Sequence, residues 1–177
     1  MNNHPLIYRA WQFWRSLWPS PPAPEELAAA RSILTDSQMK LFIQLQASEQ
    51  NHSLRVLREI QHQGETNPDL LVAALLHDVG KIRYPLRLWE RVFIVLGKKL
   101  FPGRVEAWGQ DKPQGWARPF VVAAQHPLWG GDLALEADTA PQVVQLIRRH
   151  QDKLPPTTAN QHEEYLLSVL QNADNLH

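Results

Sequence analysis

The segment Leu70-Leu71-Val72-Ala73-Ala74-Leu75-Leu76-His77-Asp78-Val79-Gly80-Lys81 is apolar on every side until it meets a histidine and an aspartate. A helix that is hydrophobic all round belongs at the centre of a protein. Asn67-Pro68 supplies its start, since proline suits the first helical position, and Gly80 is read as its end. The segment therefore predicts a buried helix whose C-terminus delivers His77 and Asp78 into the core. The helix dipole there favours a cation, and a carboxylate in a low-dielectric core is costly unless something positive meets it.

Working outward from this helix, no stretch alternates convincingly as a strand, and helical spacing recurs on both sides. Glu25 to Leu34 opens with Pro24 and two glutamates, both favourable at a helix start. Ser37 to Gln46 puts Met39, Phe42 and Leu45 on one face, and Ser48 is read as capping a helix that runs to Gln63 and stops at Gly64. His52, Val56 and Ile60 share a stripe of it. Beyond the central helix, Pro85 to Phe101 is amphipathic, whereas Pro102 to Gly115 is read as a loop from its glycine, proline and polar content. Helices are predicted at Ala117–Gln125, Leu128–Ala137, Pro141–Gln151 and Glu163–Asn172. The fold class is all-α, a helical bundle.

At 177 residues, the chain has the size of one domain, which at about 150 residues buries roughly 70% of its unfolded surface. The formal charges cancel, 18 basic against 18 acidic, so no electrostatic nucleic-acid wrapper is expected and any polyanion must be gripped locally. Cysteine is absent, which leaves histidines and carboxylates to carry any metal or acid-base chemistry. No apolar run approaches the length of a membrane span, and the first 24 residues lack the pattern of a secretory signal, so a cytoplasmic protein is expected. Trp11, Trp14 and Trp18 form one stripe of a short helix flanked by Arg9 and Arg15. Two readings of this arm stand: contact with the domain or a second subunit, and peripheral membrane association. The proline-rich Pro19–Pro24 is read as a linker, dividing residues 1–24 from a domain at 25–177 that carries an insertion at about 85–118.

A His-Asp doublet proves little, since about 0.4 are expected by chance in this composition, but requiring Gly80 and Lys81 at their spacings lowers that to roughly 5 × 10⁻⁴. A carboxylate has two oxygens and can bridge two metal ions, and the neighbouring imidazole offers a nitrogen to one of them. Lys81, just past Gly80, is placed to meet a substrate phosphate as a compact positive charge.

Taken with His52 and the late Asp174, His77-Asp78 resembles the H…HD…D signature of the HD-domain superfamily of metal-dependent phosphohydrolases. Val79-Gly80-Lys81 is similar to the HDIG-type branch, and His52-Ser53-Leu54-Arg55-Val56 to the opening of several members. The resemblance implies that His52, His77, Asp78 and Asp174 hold a first metal. His126-Pro127-Leu128-Trp129-Gly130 and Ile147-Arg148-Arg149-His150 resemble the segments of members with an H…HD…H…H…D arrangement, implying a second metal on His126 and His150 bridged by Asp78. Two divalent ions are thus implied, with Mn²⁺, Fe²⁺, Mg²⁺ and Zn²⁺ all compatible with nitrogen and oxygen ligands.

The implied activity is phosphohydrolase or phosphodiesterase chemistry on a nucleotide or cyclic dinucleotide, with Asp78 and Lys81 catalytic. Lys81, Arg55 and Arg149 are the candidate substrate-binding residues, against plainer readings of Arg55 as a structural ion pair and of Arg148, Arg149 and Lys153 as dipole partners. Asp132 is read either as orienting the His126 ring or as a surface aspartate. His4, His62, His162 and His177 lie outside the pattern. After His150 comes Gln151-Asp152-Lys153-Leu154-Pro155, which departs from the string of members that cleave cyclic di-GMP. Two other functions fit the same ligands: a di-iron oxygenase of similar fold, and a non-catalytic metal-dependent nucleotide sensor. The insertion is read as a lid or substrate wall.

Overall fold

A computed structural model describes residues 20–152 and 161–177. Among them are nine α-helices and no strand. They are α1 (Pro24–Ile33), α2 (Asp36–Phe42), α3 (Ala47–His62), α4 (Pro68–Leu76), α5 (Leu88–Leu100), α6 (Pro102–Gly109), α7 (Arg118–Glu136), α8 (Pro141–Arg149) and α9 (Gln161–Asn175). Single 3-10 turns span Val79–Ile82 and Gly115–Ala117. The fold is all-α, as its sequence predicts. Trp11, Trp14, Trp18, His4 and Lys153 lie outside the described residues. No described helix is long and apolar enough to cross a membrane.

Helix α4 is the hub. The Asn67 side chain caps it by accepting from the Leu70 amide at 3.1 Å, and Pro68 occupies its first turn. Leu70, Ala73, Ala74, Leu75 and Leu76 are wholly buried, and α1, α2, α3, α8 and α9 all pack around them. Each leucine removed from water here contributes about 2 kcal/mol, so this short helix is stabilised by packing far more than by its own hydrogen bonds. Its last regular residue is Leu76, with His77 at the C-cap.

Several boundaries differ from their sequence-based positions, each for an identifiable reason. Helix α2 ends at Phe42, and α3 starts from Gln46 rather than being capped by Ser48. Gly80 lies inside the Val79–Ile82 turn, not at a helix end. The expected loop at Pro102 to Gly115 contains α6, which uses Pro102 as a first-turn residue. An aromatic cluster holds it: Trp108 lies 4.9 Å from Phe120 and 5.2 Å from Trp116, ring centre to ring centre. Its packing outweighs the poor helix propensity of the segment.

The two helices predicted on either side of His126-Pro127 are one, α7, about 28 Å long. Proline costs this helix one amide bond, but α7 is clamped along its length by α8 and by the Val79–Ile82 turn, with α6 against it as well. Two glycines mark the closest approaches. A methyl at Gly80 would lie 1.9 Å from the His126 carbonyl oxygen and 2.6 Å from the Gly130 nitrogen, both backbone atoms. A methyl at Gly131 would meet only side-chain atoms of Arg148, which can change rotamer at the cost of its half-exposed pair with Asp132. Gly131→Ala is therefore expected to shift stability by no more than about 1 kcal/mol in urea unfolding, even though its nominal overlap is also severe.

Candidate metal centre

Five helices and one 3-10 turn carry the six residues singled out in sequence. His52 comes from α3, His77 from the C-cap of α4, Asp78 from the start of the following turn, His126 from the middle of α7, His150 from the C-cap of α8 and Asp174 from α9. The fold gathers them into two groups of three. In each of the sets His52, His77, Asp174 and Asp78, His126, His150, the donor atoms lie within 4.8 Å of one another.

Asp78 joins the two groups. Its Oδ2 is 3.6 Å from His77 Nε2 and 4.0 Å from His52 Nε2, while its Oδ1 is 3.1 Å from His126 Nε2 and 3.9 Å from His150 Nε2. Asp174 Oδ1 completes the first group, 2.8 Å from His52 Nε2 and 3.6 Å from His77 Nε2. Only Asp174 and His52 are partly open to solvent; the other four are buried.

The hydrogen bonds behind the rings decide what the fronts can do. Nδ1 of His77, His126 and His150 donates to the carbonyl of Ala74, Val122 and Ile147, at 3.0, 2.9 and 2.7 Å. A neutral imidazole carries one N–H, so each such bond leaves Nε2 with its lone pair facing the centre. His126 Nε2 faces His150 Nε2 at 3.3 Å, and His77 Nε2 faces His52 Nε2 at 3.3 Å. The lone pairs of His126 and His150, confronting one another across a buried space, call for a cation between them, and backbone carbonyls are usual partners that orient metal-ligating histidines; His52 Nε2 is bonded to Asp174 Oδ1 at 2.8 Å. The donor set of imidazole nitrogens and carboxylate oxygens fits divalent ions.

The electrostatics agree. Burial alone would raise the Asp78 carboxyl, but Lys81, His77 and His126 outweigh it and hold Asp78 well below the usual carboxylate range. Burial likewise opposes the ionised form of Asp174, yet its bonds with His52 and His77 pull it down. Burial, reinforced by His77 and His126, pushes His150 down to about 3, so its ring stays neutral and available as a ligand. His77 moves the other way: despite burial, the carboxylates of Asp78 and Asp174 raise it.

A comparison with protein families matches residues 50–177 to the HD domain. The chain belongs to the HD domain family. That family consists largely of metal-dependent phosphohydrolases, and its members bind divalent metals. Comparisons with curated proteins and with solved structures give no match.

This HD domain sets a cleft of about 410 Å³ beside the cluster, lined by His52, Arg55, Lys81, Arg91, Lys98 and His126 among others. Arg55 lines it as a cation with no ion pair among the described residues. Lys81 turns its ammonium onto Asp78 Oδ2 at 2.6 Å and Glu49 Oε2 at 3.1 Å, so it acts here first as the counter-charge of the carboxylates. Burial would lower Lys81, but Asp78 and Glu49 raise it further above its usual range, and it stays charged.

One expectation is corrected and one open alternative is decided. Arg149 does not reach the cleft as a phosphate contact but ties α8 to α9 through Glu163 and Glu164 at 2.5 and 2.6 Å. Asp132 does not orient His126, whose Nδ1 is held by Val122; it pairs instead with Arg148 at 2.8 Å. His177, set outside the pattern, is exposed and lines the cleft, while His62 and His162 are exposed on the helices.

Three residues escaped the sequence reading. Glu49 is buried one turn before His52 and binds both Lys81 and Arg91, the latter at 2.6 Å. Arg91 and Lys98 come from α5 and enter the cleft with Ile94. Their i, i+3, i+7 spacing was visible, but nothing local showed that this side of α5 faces the centre.

Proposed function

We propose that this HD domain is a two-metal phosphohydrolase acting on a small phosphate-bearing molecule, a nucleotide or cyclic dinucleotide. One observation carries the reading: the two oxygens of the buried Asp78 diverge, Oδ2 towards His52 and His77 and Oδ1 towards His126 and His150, as those of a bridging carboxylate do. Divalent ions bound there would supply an acidified water and neutralise charge developing on the phosphoryl oxygens.

The protein's own residues account for the rest. The Nδ1 bonds of His77, His126 and His150 hold the rings in the tautomer that leaves Nε2 free, so the ligand geometry is set before anything binds. Lys81, itself held by Glu49, keeps Asp78 ionised and fixed in orientation. Arg55 and Lys98, on opposite helices of the cleft, are placed to hold phosphate oxygens, and about 410 Å³ suits a small organic molecule rather than a polymer. The wall built by α5 gives the insertion its role in substrate contact.

The test is a hydrolysis screen of nucleotides, cyclic dinucleotides and simple phosphodiesters with Mn²⁺, Fe²⁺, Mg²⁺ or Zn²⁺ supplied. Turnover of a phosphoester or phosphoanhydride is expected, and Arg55→Ala and Lys98→Ala should each raise KM about tenfold with a smaller change in kcat, the effect of losing one charged hydrogen bond. Failure to cleave any of these substrates with any of these metals would contradict the proposal. Metal-dependent binding of a nucleotide without turnover would identify a sensor instead.

A further inference from the structure

Helix α5 turns three sides to three surroundings. Glu90 and Gly97 are buried, the first pairing with Arg118 and the second lying against the Phe120 ring. Arg91, Ile94 and Lys98 line the cleft. The third side is apolar and uncovered among the described residues: Leu88, Trp89, Val92, Val95, Leu96 and Leu100 are all exposed, with Trp89 at 56%, Val95 at 64% and Leu100 at 62%. Phe101 and Trp116 are exposed as well. Of the fourteen large hydrophobic side chains exposed among the described residues, nine lie between 88 and 116. Scattered exposed leucines are ordinary, but a concentration of this kind marks a surface that something covers.

Charge indicates what covers it. Between residues 83 and 112 there are seven lysines and arginines against three acids, in a chain whose net charge is zero. One of those acids, Glu90, is buried with Arg118. Arg91 and Lys98 belong to the cleft, but Arg83, Arg87, Lys99, Arg104 and Lys112 lie outside it and are all exposed. Lys99 stands within the apolar side itself, one helical turn from Val95 and Leu96. Lysine is depleted from the centres of protein interfaces, and a two-fold contact through this side would bring two copies of Lys99 towards each other. At a bilayer the same residue is favourable, because its aliphatic stem lies along the apolar surface while the ammonium reaches the headgroup phosphates.

The geometry points to α5 as an interfacial helix that docks the domain on an anionic lipid bilayer, with Trp89, Val92, Val95, Leu96 and Leu100 entering the headgroup boundary and the surrounding cations holding acidic lipid. This surface is separate from the metal centre and does not depend on the proposed activity.

Sedimentation of the full chain with phosphatidylglycerol-containing vesicles, and with phosphatidylcholine vesicles, tests it. The protein should co-sediment with the first far more than with the second, and less as salt is raised. Val92→Glu combined with Leu96→Glu should reduce partitioning by about tenfold or more, and Lys99→Glu by a smaller factor. Because these positions are exposed, the variants should keep the thermal unfolding midpoint of the parent, so lost binding is not lost folding. Three results would overturn the proposal: no sedimentation of the parent with acidic vesicles, equal binding of the double variant, or a dimer in solution that the double variant dissociates while vesicles capture neither protein.

Discussion

Asp78→Ala should abolish phosphoester cleavage, with a loss of at least about a thousandfold in kcat/KM. The figure follows from the several kcal/mol that metal ions supply to a phosphoryl transition state, at one factor of ten per 1.4 kcal/mol. No other side chain in the cluster has an oxygen towards each group, so no neighbour can take over its place. Asp78→Asn separates charge from shape: it preserves size but not the second anionic oxygen, and should lose nearly as much activity. The alanine variant should also be less stable by about 3 kcal/mol, because Lys81 is left with Glu49 as its remaining acidic partner. Phosphate release and urea unfolding measure the two effects separately. Unchanged cleavage in either variant would end the proposed chemistry.

Gly80→Ala should be the most disruptive single methyl in the protein. The atoms it would strike are the backbone of His126 and Gly130, which cannot rotate away, so α7 itself would have to retreat from the Val79–Ile82 turn. Overpacking against backbone belongs at the upper end of core penalties, about 3 kcal/mol or more. The structural consequence is specific, since the turn carries Asp78 and the facing segment of α7 carries His126. Gly80→Ala should therefore separate Asp78 from His126 and weaken metal binding to the second group more than to the first. Gly131→Ala is the control, matched in chemistry and lying on α7 next to Gly130, which Gly80 approaches. Equal stability losses in the two variants would show that the turn and helix are not in fact held this closely.

Much of this arrangement was legible in the order of residues, because its determinants are local. The apolar run at Leu70–Leu76 has no exposed side to offer, so its central position follows from pattern alone, and the ends of α8 and α9 are near their sequence-based positions. The helical break expected at His126-Pro127 did not follow, because long-range packing from α8 and the Val79–Ile82 turn overrides proline's local cost. Helix α6 was hidden for a similar reason: its stability resides in Trp108 meeting Phe120 and Trp116, contacts that composition does not reveal. At the centre, the six ligand candidates came from the resemblance to the HD-domain signature, and the fold brings all six together. Their division into two groups was not readable from the residues themselves, since it depends on which oxygen of Asp78 faces which histidine. Arg149 shows the opposite failure. Its position beside His150 suggested a phosphate contact, while the acids that engage it lie on a different helix.

The central claim is that one carboxylate bridges two metal sites, and elemental mass spectrometry of the chelator-free protein measures it most directly, with His126→Ala analysed in parallel. The expected result is about two divalent ions per chain in the parent and about one in the variant. One ion in both proteins, or none after metal has been offered, would contradict the bridged centre.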